Sequence, residues 1–250
     1  VKLYVPQVVK VEMTDAAYEE FTKPILYPST YHPDLLGASD VIGCETNITL
    51  YMGCSGTTKE QLCTQIAHRC QETYEGVNIR FSTETVSESV KVLEIMCANS
   101  RNSRLFGQVA TVSDSSFRNE KPKGKAYVHM DVIREATSSE KFQYDNNIMK
   151  TKLRQKCEIP MLFPFSDQEL MNAVAATTEH ETGHLLGLVS HDYLGGTKGM
   201  HNANILVNGW IMNTGSLTPM VYRLGSRSNR NRSWKTENLM YLRFVLPKGE

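Results

Sequence analysis

The segment His180-Glu-Thr-Gly-His184 holds the residue types and spacing that could do chemistry. On an α-helix, positions four apart lie one above the other on a single face, so two imidazoles so placed can bind one metal ion at roughly 2.0–2.1 Å. Zinc needs neutral imidazole nitrogens, an open coordination position and a base that takes a proton from water. Glu181 follows the first imidazole and is placed to act on water rather than on the metal, and burial against an apolar wall raises a carboxyl pKa toward that task. The bland reading is an exposed helix end with two solvated histidines. Against it, the motif extends as HETGHLLGLVSHD. Gly187 lets the chain leave the helix in a left-handed turn, which can bring a third donor such as His191 back to the metal.

HExxHxxG followed by a further ligand resembles the metzincin clan of zinc peptidases, and HETGHLLGL is especially similar to snapalysins and archaemetzincins. The clan spacing puts the third ligand three residues after the glycine, where this chain has Ser190, a poor zinc donor; His191 comes one residue later. His191 is the favoured third ligand, with Asp192 as a supporting carboxylate or the alternative donor. His201, in GMHN, is a further candidate, weighed against a solvated loop histidine. The clan also sets a methionine in a tight turn beneath the metal. Gly209-Trp-Ile-Met212-Asn-Thr-Gly215 looks like that turn, whereas Met240 lies in a helical pattern and reads as core. Thr214 stands where some clan members have a tyrosine that contributes to the site, so no such role is carried over.

The resemblance implies a zinc-dependent endopeptidase acting on protein or peptide substrates. Zinc is held by His180, His184 and His191, and Glu181 takes the proton of the attacking water and returns it to the leaving amine. It further implies an upper lobe with a five-stranded sheet whose edge strand pairs with extended substrate, for which Leu105–Val112 is the candidate. Two other readings compete. A gluzincin-type plan would take a downstream glutamate, Glu237, as third ligand. A non-catalytic zinc-binding or scaffold protein would keep the fold, but it has no use for Glu181.

The chain that must position these groups has 250 residues, 40% of them apolar. Lys plus Arg equals Asp plus Glu at 27 each, which gives no reason to expect a nucleic-acid partner. No run nears the roughly 18 apolar residues of a membrane-spanning helix, and a monomer is expected. Six cysteines without a CxxC pair, and the sequons at Asn47 and Asn231, fit a secreted, disulfide-bearing protein. Cys63 and Cys70 lie two turns apart on one predicted helix and cannot bond to each other there. Arg223, Arg227, Arg230 and Arg232 form a basic stretch that reads as a solvated loop, or a surface for an acidic partner. His68 and His129 read as ordinary surface or core residues.

The fold class expected is α/β (α+β), with a twisted mixed sheet, a backing helix, an active-site helix, and a small irregular C-terminal lobe ending in a helix. Residues 1–43, punctuated by prolines, read as an irregular extension around a catalytic domain over 44–250. That domain divides into an upper lobe over 44–187 and a lower lobe over 188–250. Strands are expected at Asn47–Met52, Val77–Ser82, Val90–Cys97, Leu105–Val112 and Lys125–Val132. Capping boxes at Thr57–Glu60 and Ser166–Glu169 open the two main helices, with Gly76 and Gly187 as their stops. A last helix is expected near Ser233–Val245.

Overall fold

A computed structural model describes residues 5–23, 25–27, 48–50, 56–84, 90–98, 105–110, 119, 121, 123–136, 167–188, 201–202, 209–213, 221–224 and 232–248. The strands are β1 (Gln7–Met13), β2 (Ile25–Tyr27), β3 (Ile48–Leu50), β4 (Ile79–Ser82), β5 (Val90–Met96), β6 (Gly107–Val109) and β7 (Gly124–His129). The helices are α1 (Asp15–Thr22), α2 (Lys59–Thr73), α3 (Met130–Ala136), α4 (Asp167–Leu185), α5 (Val221–Leu224) and α6 (Thr236–Val245). Five strands form a mixed sheet of order β4-β1-β5-β7-β6, and β2 and β3 pair separately. The inner pairs are parallel; β6 runs antiparallel to β7, with Gly107 opposite Val128 and Val109 opposite Ala126. Among the described residues β6 is the edge strand on that side.

The expectation of an irregular start fails for Gln7–Thr22. β1 lies inside the sheet between β4 and β5, and the boundary at residue 43 would cut it from its partners. The alternation in QVVKVEM is the physical reason: Val9, Val11 and Met13 are buried, while Lys10 and Glu12 pair with each other at 2.8 Å. Proline density further along this stretch misled the reading.

α2 packs against β1, β4 and α4. Leu62, Ile66, Ala67 and Cys70 form its buried face, as their helical spacing predicts. Its N-cap is Thr58 rather than Thr57. The Thr58 hydroxyl accepts from the Gln61 N–H at 3.2 Å, and the Thr58 N–H donates to the Gln61 side chain at 2.9 Å. Gly76 follows the helix with φ +85°, the left-handed conformation its type allows. Cys63, Cys70 and Cys97 are free thiols; Cys44, Cys54 and Cys157 lie outside the described residues, as do Asn47 and Asn231. β7 ends at His129, and Met130, Asp131 and Val132, expected in that strand, open α3 instead. Met130 and Ile133 are both buried, a helical period that short apolar runs hide. Among the described residues no helix is long and apolar enough to cross a membrane.

Candidate metal centre

α4 is buried on every side: Glu169 through Leu185 are all in the interior. Yet its second half reads Thr177-Thr-Glu-His-Glu-Thr-Gly-His184, a polar run of a kind that is costly to bury without partners. Those partners come from the whole molecule. Glu179 accepts from the Thr73 hydroxyl at 2.7 Å and lies 3.6 Å from Arg232, and its carbonyl accepts from the Tyr74 hydroxyl at 2.8 Å. Thr177 accepts from Arg223 at 2.9 Å, and Asn172 donates to the Leu224 carbonyl at 2.8 Å. Ser166, the expected cap of this helix, lies outside the described residues.

The helix stops at a left-handed glycine, as expected. Gly187 has φ +82°, its N–H donates to the His184 carbonyl at 2.9 Å, and the Leu188 N–H donates to the Gly183 carbonyl at 3.0 Å. This pair of bonds is the Schellman arrangement.

Three histidines converge at this end of α4. The Nε2 atoms of His180 and His184 are 3.1 Å apart, and His201 Nε2 lies 3.2 Å from His180 Nε2. All three donor atoms fall within 4.8 Å of one another. Ligands at about 2.05 Å in a tetrahedron stand roughly 3.3 Å apart, so the spacing is that of a shared ion. Proton counting agrees. The Ile211 carbonyl can only accept, so the 2.6 Å contact from His180 Nδ1 puts the ring proton there and leaves Nε2 with a lone pair. That single lone pair faces two other ring nitrogens, and a cation satisfies all three. Burial keeps the rings neutral, lowering His180 well below the usual histidine range and His184 to about 3, with the neighbouring histidines adding to the effect. Neutral imidazole is the form that binds a metal ion, so the donor set is compatible with one.

His201 is thus not a solvated loop histidine. His191, Asp192 and Ser190 lie outside the described residues. Glu237 stands at the start of α6 with its carboxylate 3.3 Å from Lys235, half exposed and outside the cluster.

Met212 is fully buried beneath α4, and its sulfur fills the space beside Gly183 that a side chain there would take. The same turn supplies the Ile211 carbonyl to His180, and the Met212 carbonyl accepts the Asn202 N–H at 3.0 Å. One turn therefore orients the first histidine and tethers the segment that carries the third. Met240, expected in the core, is 66% exposed, because α6 turns Asn238, Tyr241 and Leu242 inward instead.

Glu181 is buried beside the cluster, and desolvation pushes its carboxyl up to about 8, with Arg223 pulling the other way. The edge strand comes within contact of it: a Cβ on Gly107 would lie 2.7 Å from Glu181 Cγ and 2.8 Å from Oε1. Arg223 is itself buried, stacks 4.9 Å over the Phe106 ring, and is lowered to about 9 by burial and by Arg232. Reading 223–232 as a solvated loop is therefore wrong for its two ends; Arg227 and Arg230 lie outside the described residues. Glu169, Glu179 and Glu181 are all buried on α4, which carries no lysine or arginine of its own, so compensating cations come from elsewhere. Gly107 was legible in the sequence, since a glycine inside a strand marks a close approach. His129, read as an ordinary core or surface residue, is buried with Nδ1 2.9 Å from the Leu105 carbonyl, bracing the start of β6.

No family model, no curated protein and no solved structure matches this chain.

Proposed function

We propose that this chain is a zinc-dependent endopeptidase of the metzincin type. One observation carries the reading: three histidine Nε2 atoms meet at ion-ligand spacing, with a buried carboxyl next to the first of them. The ligands are His180, His184 and His201. A bound zinc would supply Lewis-acid polarisation of a scissile carbonyl and make a nearby water easier to deprotonate.

The chain's own residues supply the rest. Glu181 accepts a proton from the attacking water at a carboxylate oxygen and delivers it to the departing amine. Burial raises its pKa, which favours return of the proton to the amine, and Arg223 acts against the elevation. The Ile211 carbonyl fixes the tautomer of His180, and Met212 fills the floor against Gly183. Among the described residues no strand pairs with the outer side of β6, which would offer backbone groups to an extended peptide, and Gly107 places that strand against Glu181.

A scaffold role is less favoured, because burying Glu181 with its pKa raised is a cost that a non-catalytic protein has no reason to carry. The test is metal analysis of the purified protein together with cleavage of an unbiased peptide library. About one zinc per chain and chelator-sensitive internal cleavage are expected. Full zinc with no cleavage of any peptide would favour the scaffold.

A further inference from the structure

We propose that Arg232 is a positioning residue for the metal centre, holding His180 in its ligating orientation through the carbonyl of Ile211. The inference rests on the metal reading of the histidine cluster and assigns a role that the proposed reaction does not itself require.

The Ile211 carbonyl accepts two donors. One is His180 Nδ1 at 2.6 Å, and the other is Arg232 Nη2 at 2.7 Å. The other arm of the guanidinium, Nη1, donates to the Ala176 carbonyl, one turn before His180 on α4. A single planar fork thus ties the helix that carries the histidine to the carbonyl that orients it. The Arg232 backbone is fixed to the same turn from the other side. Ser233 donates to the Gly209 carbonyl at 3.2 Å and accepts from the Ile211 N–H at 3.0 Å. Trp234 anchors the next position, donating to the Thr73 carbonyl at 2.8 Å with its ring edge-on to Tyr74 at 4.8 Å. The Arg232 side chain is 6% exposed, so water does not substitute for these bonds.

The competing role is a plain buried ion pair with Glu179. Its geometry is the weaker of the two, since 3.6 Å is charge compensation and not a hydrogen bond, whereas both carbonyl contacts are within bonding distance. If the carbonyls matter, the fork is needed and the charge alone is not. Lysine keeps the charge but lacks the planar fork that aims one donor at each carbonyl, so Arg232→Lys should fail where an ion pair would be rescued.

The experiment is zinc competition against a chromophoric chelator, on the full chain, for the wild type, Arg232→Lys, Arg232→Gln and Glu179→Gln. Alongside it, the 15N–1H signal of His180 Nδ1–H is followed. Both Arg232 variants should bind zinc about 10-fold more weakly or worse, the loss typical of removing an orienting partner, with the Nδ1–H signal shifted or exchanging faster. Glu179→Gln should bind near the wild-type value. Unchanged affinity and an unmoved signal in the Arg232 variants would overturn the inference. So would a loss in Glu179→Gln equal to theirs. Should the variants not fold, zinc loading of the wild type must shift the Arg232 Nη–H resonances together with His180 Nδ1–H, and an unmoved arginine overturns it. A wild type that takes up no zinc defeats the metal reading itself, a result separate from all of these.

Discussion

The sulfur of Met212 sits where a side chain on Gly183 would begin, so the turn at 209–213 and the helix carrying the two histidines are fitted to each other at one missing Cβ. A methyl group there would also meet Met212 Cε at 3.1 Å and Leu188 Cδ1 at 3.3 Å. Gly183→Ala should therefore destabilise the protein by about 1–3 kcal/mol, the range for overpacking a filled core, despite the better helix propensity of alanine. Met212→Leu nearly conserves volume and should cost less than about 1.5 kcal/mol. Urea melts of the two variants check this, and a Gly183→Ala protein more stable than the wild type would show that the floor is loose.

Gly107 makes the analogous contact with Glu181, the proposed base. A Cβ there would press on Glu181 and on the Tyr127 carbonyl at 2.8 Å, and the backbone of β7 cannot swing aside as a side-chain tip can. Gly107→Ala should retain zinc while kcat falls by about 10-fold or more, since a displaced base loses its reach to the water. Steady-state kinetics with atomic absorption on the same samples decides it. Wild-type kcat would mean that Glu181 has room to spare.

The third donor separates His201 from His191 and Asp192. Two helix histidines alone leave two positions open and bind zinc weakly, so removing the third ligand should release metal to a mild chelator. His201→Ala is expected to lose zinc on dialysis, and His191→Ala, Asp192→Ala and Ser190→Ala to retain it. Retention by His201→Ala with loss from His191→Ala would move the ligand to the position favoured by sequence spacing.

Removing the metal exposes a pH signature whose sign is fixed by burial. His184 is lowered from 6.5 to about 3, so its contribution to stability is complete above 6.5 and is lost as pH falls toward 3. Glu181 is raised from 4.5 to about 8, so its contribution is complete below 4.5 and is lost as pH rises toward 8. His180 is lowered as well and adds to the loss on the acid side, so the metal-free protein should show its highest Tm at about pH 6.5. Zinc should move the maximum to higher pH, because a cation stabilises the ionised form of Glu181. Calorimetry with and without chelator measures both curves. A metal-free Tm that climbs steadily from pH 6 to about 9 would contradict the burial of Glu181.

The parts of this fold and site that were legible in sequence are those set by local rules. A four-residue spacing puts His180 and His184 on one helix face, and Gly187 takes the positive φ that ends the helix. The alternation of QVVKVEM belonged to a strand, but nothing local said that it lies inside the sheet, because its partners at 79–82 and 90–96 are about 70 residues or more away. His201 could not be found by spacing, since it stands beyond the end of α4, where no helical period reaches. Arg223 and Arg232 look like solvated cations by composition. Arg223 and the side chain of Arg232 are buried where α4 buries Glu179 and Glu181, and only the packed structure reveals that demand.

The most direct test of the central claim is the Glu181→Gln protein, measured for zinc content and peptide hydrolysis in the same preparation. Glutamine keeps the shape of the side chain and removes only its ability to take and return a proton. The account predicts about one zinc per chain, a Tm within a few degrees of the wild type, and hydrolysis reduced by at least about 10²-fold. Hydrolysis at the wild-type rate by Glu181→Gln would contradict it.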